Sequence, residues 1–195
     1  MVSFPIHTLE SAPQGSRDLL QGLQDSLSII PNLAATMAES PELLKGFLSA
    51  RQILYSGTFT PVEVQVLALT NAFENSCEYC MAFHSYLALK SGASQESVSA
   101  LRAGRSPLDP RLKALSDFSR ALVQRRGQVT QDDMAAMIGA GYTRAQLLET
   151  VLGVAVSILP NFAHHLTRCP LDETFRSQQW TASSRESEAA WSTNA

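Results

Sequence analysis

Hydrophobic residues recur along this chain at spacings of three and four, which is the period of a helix with one buried face. Two of these stripes consist of Leu19, Leu20, Leu23 and Leu27, and of Leu112, Leu115, Phe118 and Leu122. No segment alternates apolar and polar residues over the length of a strand between turn signals. The pattern therefore predicts an all-α fold, a bundle of about eight to ten helices.

Capping residues mark where these helices begin. Single N-caps are predicted at Ser40, Ser94 and Asp109, and capping boxes at Thr60 with Glu63, Thr130 with Asp133, and Thr143 with Gln146. The helix that begins after Thr143 runs into Pro160, which has no amide hydrogen to donate. We expect a kink or a break there.

The chain of 195 residues is long enough for one domain. We predict an all-helical domain over residues 12–175, with its motif-bearing core at 41–103, and a polar tail over 176–195. The tail isolates Trp180 and Trp191 among polar residues. It is either loose, or its tryptophans anchor it on a neighbouring subunit.

Charge and composition limit the classes of binding partner that are expected for this chain. The net charge of −3 offers no basic field for a phosphate backbone, so no nucleic-acid partner is expected. The most apolar run, Val151 to Pro160, is about half of what a bilayer span needs, so no membrane span is expected either. The first residues lack the pattern of a secretory signal, and three cysteines are an odd count, so we predict a cytoplasmic protein without a disulfide framework.

Cys77, Cys80 and His84 are the residues that ordinary packing explains poorly. At about 100° per residue they project from one face of a helix, within roughly 60° of each other. His84 is one turn from Cys80, about 6 Å along the axis, and it therefore serves that cysteine first. Ser76 is a good N-cap, which places both thiols in a first turn where free amides stabilise a thiolate.

Two other interpretations of the motif stay open. Zinc binds thiolate and imidazole, but a closed site needs a fourth ligand, which Cys169, His164 or His165 could supply only by folding back. The two cysteines could also be inert core residues, because free cysteine is commonly buried. We favour structural hydrogen bonding for His164 and His165, with His165 the better candidate to line a pocket, and we interpret Cys169 as a spectator.

The run from Thr60-Pro61 through Cys77-Glu78-Tyr79-Cys80, His84 and Gly92 resembles the AhpD-like branch of the carboxymuconolactone decarboxylase family. The similarity extends through Asn161, His165, Asp172 and Phe175 to a peroxidase-related subgroup. It implies assembly into trimers or hexamers and reduction of a small hydroperoxide by an external thiol or a redox partner protein, without a metal or other cofactor. It further implies that Cys80 forms the sulfenic acid, that Cys77 is proton donor and resolving thiol, and that His84 relays protons.

One position departs from the resembled pattern. The family has a glutamate in the proton relay twelve residues before the first cysteine, and this chain has Gln65. An amide forms hydrogen bonds but cannot exchange a proton as a carboxylate does. Glu63 and Glu74 are the nearby candidates to replace it. Two alternative functions follow, a lyase acting on a small lactone with His84 as base, and a redox-responsive protein without turnover.

Overall fold

The structure, a computed structural model, describes residues 2–182, and every regular element within them is a helix. The α-helices are α1 (Gln14–Leu27), α2 (Asn32–Met37), α3 (Pro41–Tyr55), α4 (Pro61–Glu74), α5 (Glu78–Lys90), α6 (Gln95–Arg102), α7 (Pro110–Gln124), α8 (Gln131–Gly139) and α9 (Arg144–Thr167). A short 3₁₀-helix, Glu173–Gln178, follows α9. The predicted all-α fold is confirmed.

The predicted caps set these boundaries. Ser40, Ser94 and Asp109 each accept a hydrogen bond from the amide three residues further on, at the start of α3, α6 and α7. The three predicted capping boxes begin α4, α8 and α9, with both reciprocal hydrogen bonds present in each. Side-chain oxygens thus satisfy amides that the first turn leaves without a partner.

Of the kink or break expected at Pro160, the break does not occur. Helix α9 continues through this residue to Thr167. The proline removes one backbone hydrogen bond, but α9 packs against α2, α3, α4 and α7, and these contacts keep the residues on both sides of the proline helical. Tertiary packing here outweighs the local preference of proline.

Helix α4 lies at the centre of the domain and packs against α5, α7 and α9. Eleven of its 14 residues are buried. Gly153 allows α9 to cross α4 closely, since a Cβ at that position would lie 2.9 Å from Cδ1 of Leu67. The close crossing brings polar groups of α4, α5 and α9 into one region of the core.

The residues after α9 fold back over the domain. The Trp180 ring lies 6.0 Å from the Phe73 ring, and its indole nitrogen donates to the Arg102 carbonyl at 3.0 Å. The Arg102 guanidinium in turn donates to the carbonyls of Gln178 and Gln179. The first part of the predicted tail is therefore attached to its own chain, whereas Trp191 lies outside the described residues.

By length and composition α9 could cross a membrane, with a mean hydropathy of 1.4 over its most apolar window. Of that window 44% is buried inside the domain. The core helix of a globular domain passes the same test of length and composition, and the packed face of α9 accounts for the buried part of its apolar composition.

Candidate active site

Helix α5 begins with a cysteine in the capping position. Cys77, not the predicted Ser76, is the N-cap, and its Sγ accepts a hydrogen bond from the Cys80 amide at 3.3 Å. Ser76 instead adopts a left-handed conformation with φ of 54° in the turn before the helix. The sulfur occupies the place that a serine or aspartate oxygen takes in an ordinary cap, and it faces the positive end of the helix.

The two sulfurs of the motif are buried and reduced. Burial alone would raise the pKa of Cys77, but hydrogen bonds from the Cys80 thiol and backbone amide, and the interaction with His164, outweigh it and lower that pKa. Burial, followed by the adjacent Cys77 sulfur, raises the pKa of Cys80. The negative charge therefore resides on Cys77, and the proton stays on Cys80.

His84 is half-buried on the next turn of α5, and its tautomer is set by a neighbour. Its Nδ1 lies 2.9 Å from Oε1 of Gln65, and because that oxygen only accepts, Nδ1 carries the hydrogen. Burial, and then the Arg51 guanidinium, lower the pKa of His84 to about 3. At neutral pH the ring is uncharged, and its Nε2 keeps a lone pair that can accept a proton.

Gln65 belongs to a row of polar side chains that we call the polar track: Arg51, Tyr55, Gln65 and His84. The Gln65 amide nitrogen donates to the Tyr55 hydroxyl at 2.8 Å, and the Arg51 guanidinium stacks on the Tyr55 ring at 4.3 Å. Sequence reasoning missed Arg51 and Tyr55. Their spacing of four residues on α3, beside an apolar stripe, was the available signal.

Glu63 and Glu74, the two carboxylates considered as replacements for the relay glutamate, are bound to residues other than His84. Glu63 accepts from the Thr60 amide in its capping box and pairs with Arg111 at 2.9 Å. Glu74 pairs with Arg120 at 3.0 Å. Within residues 2–182, the group that accepts a hydrogen bond from the His84 ring is the Gln65 amide oxygen.

A cavity of about 70 Å³ leads to the sulfurs from the side of α1 and α3. Cys80 and His84 line it together with the aromatic rings of Tyr79 and Phe83, whereas Cys77 does not line it. Other wall residues are Leu23, Leu27, Leu33, Met37, Phe47, Leu48, Leu67 and Val156. One sulfur and one imidazole thus meet a potential ligand in a largely apolar space.

His164 is a second imidazole close to the motif, and the sequence analysis gave it a structural hydrogen-bonding role. The ring is buried, stands 5.6 Å from the Tyr79 ring, and interacts with the Cys77 sulfur. Its Nδ1 has no hydrogen-bond partner among residues 2–182. His165 instead contacts the Asn75 carbonyl at 2.7 Å. The spacing of three between Asn161, which hydrogen-bonds Cys80, and His164 was the signal for a shared face.

Cys169 is buried and contributes to a second cavity of about 270 Å³ beside His164 and Trp180. Burial raises its pKa to about 11, so it is a thiol at neutral pH. In the part of the chain that the structure describes, no three His, Cys, Asp or Glu side chains are arranged to hold a metal ion.

Comparison with known proteins supports the all-helical fold. Residues 41–114 match the model of the carboxymuconolactone decarboxylase family, a little over a third of the chain. A crystal structure of an AhpD core, an uncharacterized peroxidase-related protein from Ralstonia eutropha JMP134, is 20% identical with a TM-score of 0.80, and covers 88% of this chain and 93% of its own. No curated protein matches the chain significantly. Over residues 41–114 the chain is thus similar to the carboxymuconolactone decarboxylase family, and over most of its length it shares the fold of an AhpD core.

Two further solved structures share the fold. A peroxidase-related protein from Silicibacter sp. TM1040 is 17% identical with a TM-score of 0.76, and covers 91% of this chain and 94% of its own. The debrominase Bmp8, as a cysteine-to-alanine variant in complex with 2,3,4-tribromopyrrole, is 14% identical with a TM-score of 0.71, and covers 91% of this chain and 95% of its own. At these identities the likeness concerns the fold alone.

Proposed function

We propose that this protein is a thiol peroxidase that reduces a small hydroperoxide with Cys80 and Cys77. One observation carries the proposal: the two sulfurs are hydrogen-bonded at the start of α5, and Cys80 and His84 line the same cavity. The similarity of residues 41–114 to the family, and of the fold to an AhpD core, supports a peroxidase-related activity. The electrons come from an external thiol in a reducing compartment, which we take to be the cytoplasm.

The first half of the cycle oxidises Cys80. A hydroperoxide ROOH in the cavity lies between the Cys80 thiol and Nε2 of His84. His84 accepts the thiol proton as the sulfur attacks the outer oxygen, so an S–O bond forms and the O–O bond breaks. The alkoxide RO⁻ then takes the proton from His84 and leaves as ROH. Cys80 is now a sulfenic acid, and His84 is again neutral.

The second half uses Cys77. Its low pKa keeps it a thiolate, which attacks the sulfenic sulfur and expels hydroxide, and a solvent proton converts the hydroxide to water. Two external thiols then reduce the Cys77–Cys80 disulfide and are themselves joined as a disulfide. In this scheme His164 is a positioning residue, because it acts on the substrate only through the Cys77 sulfur.

Mass spectrometry after one equivalent of peroxide tests the scheme. The wild type is expected to lose two hydrogen atoms as the disulfide forms, Cys77→Ser to stop at a sulfenic acid that dimedone traps, and Cys80→Ser to remain unoxidised. Cys169→Ser is the matched control, a buried thiol outside the scheme, and it retains turnover. Oxidation of Cys80→Ser at the wild-type rate would contradict the proposal.

The same variants separate the alternatives. A lyase acting on a lactone would keep its activity without either cysteine, but would lose it with His84→Gln. A redox-responsive protein would form the disulfide once and change its oligomeric state without multiple turnovers. The fold also occurs in a debrominase that binds 2,3,4-tribromopyrrole, so a brominated pyrrole belongs among the assayed substrates, and its consumption in place of peroxide would favour that chemistry.

Assembly is part of the proposal. Helix α9 exposes Leu148, Val151, Phe162 and Leu166, which repeat at helical spacing over roughly 27 Å. A continuous apolar stripe of this length on a monomer marks an interaction surface. We assign it to contacts with further copies of the chain in a trimer or hexamer.

A further inference from the structure

The cavity has largely apolar walls and one cationic side chain among them. Arg51 lines the cavity and is half-buried, and its guanidinium stacks on the Tyr55 ring. Within residues 2–182 no carboxylate lies at ion-pair distance from it. The domain contains several arginines that are paired with acids, among them Arg111 and Arg120. Arg51 therefore keeps its donors for a group from outside.

The guanidinium is also in a defined orientation. Stacking on Tyr55 fixes its plane, and Tyr55 is fixed in turn by the hydrogen bond from Gln65. A planar, pre-oriented guanidinium forms two parallel hydrogen bonds with a carboxylate and loses little side-chain freedom in doing so. The half-buried position strengthens this attraction, since water screens the charge less than on an open surface.

The size of the cavity limits the rest of the ligand. A cavity of roughly 150 Å³ accommodates benzene, and this cavity of about 70 Å³ has space for around half of that volume. A body of about four carbon atoms fits against the leucine and phenylalanine walls. The reacting end would lie at Cys80 and His84, and a polar group at the other end would meet Arg51 in the cavity wall.

We propose that the natural ligand of this cavity is a small aliphatic acid, whose carboxylate pairs with Arg51 while its apolar body lies in the cavity. This inference rests on the proposed function for the hydroperoxide group of the ligand, but not for the binding of the acid. Arg51 is then a specificity-determining residue of the site.

Binding of unreactive probes tests the inference independently of turnover. We expect 3-methylbutanoate to bind the wild type at least about tenfold more tightly than 3-methylbutanol, measured by NMR titration. The ratio should fall to near one in Arg51→Gln and be partly retained in Arg51→Lys. Arg144→Gln, an exposed arginine at the start of α9, is the matched control and should keep the wild-type ratio.

Steady-state kinetics with two hydroperoxides test the binding of the acid and the peroxidase activity together. With 3-hydroperoxy-3-methylbutanoate and tert-butyl hydroperoxide, Arg51→Gln should raise KM for the acid alone, whereas any change in kcat, which would act through the pKa of His84, should be the same for both compounds. Equal affinity of the wild type for the acid and the alcohol probe, or a ratio that survives Arg51→Gln, would overturn the inference. Selective binding of the acid without turnover of either hydroperoxide would retain the inference and refute the peroxidase.

Discussion

Replacing Gln65 by glutamate is the most direct test of how His84 works. The amide oxygen lies 2.9 Å from Nδ1 of His84, and the residue is 2% exposed, so the new carboxylate would face the ring in a dry environment. Opposite charges about 4 Å apart attract by about 4 kcal/mol at an effective dielectric constant near 20. The cost of burying the carboxylate reduces this gain.

The net effect should be a higher pKa for His84. A neighbouring opposite charge typically moves a pKa by about one to three, which would bring the pKa of His84 from about 3 to about 4 to 6. The ring would still be neutral at pH 7, but its Nε2 would be a stronger base. If half of the added basicity is expressed in the transition state, oxidation of Cys80 should become about threefold to thirtyfold faster.

The assay combines two readouts. NMR titration of the imidazole resonances measures the pKa of His84, and stopped-flow fluorescence measures the rate of thiol oxidation by tert-butyl hydroperoxide. Gln131→Glu is the matched control, because it adds the same charge at an exposed position on α8. A raised pKa with an unchanged or slower oxidation rate would refute the role of His84 as the base.

Three further predictions follow from the same contacts. The rate of alkylation of Cys77 by a small reagent should have a pH midpoint below the pKa of about 8.5 of free cysteine. His164→Phe should raise this midpoint. A midpoint equal to the pKa of free cysteine would contradict the assignment of Cys77 as a thiolate. Since the folded-state pKa of His84 is depressed, only the unfolded chain binds its proton between about pH 6.5 and 3, so stability falls as pH decreases through this window. In chemical denaturation, the free energy of unfolding of His84→Gln should change with pH less steeply than that of the wild type, by up to about 1.4 kcal/mol per pH unit. The same pH dependence in both proteins would contradict the argument that burial lowers the pKa of His84. Phe162→Glu places a charge in the exposed stripe of α9 and should reduce the oligomer size in analytical ultracentrifugation, whereas an unaltered size would move the interface elsewhere.

The roles of the two sulfurs are now more sharply separated than the motif alone allows. Their positions differ because Cys77 caps α5 with its sulfur, whereas Cys80 lies in the first turn and reaches the cavity. The resemblance to the family makes Cys77 both proton donor and resolving thiol. Its lowered pKa favours the resolving role, and the proton for the alkoxide then comes through His84.

Local sequence was sufficient to predict the helices and the common face of Cys80 and His84, but not the position of Cys77 as the cap of α5. Capping residues such as Thr60 and Thr143 act within four residues of the chain, so their effect is visible without tertiary structure. The same holds for the helical spacing of Cys80 and His84, which both line the cavity. Local hydrogen bonds and helical geometry are sufficient for these features.

The surroundings of the motif depend on how the helices pack against one another. Gln65 meets His84 because α4 packs against α5, and Arg51 reaches the cavity because α3 packs against α9 and forms its wall. His164 lies beside Cys77 because α9 continues through Pro160, which its neighbours enforce against the local preference of proline. Such contacts join residues far apart in the chain, and the free energy of packing whole helices, which no local pattern records, selects them.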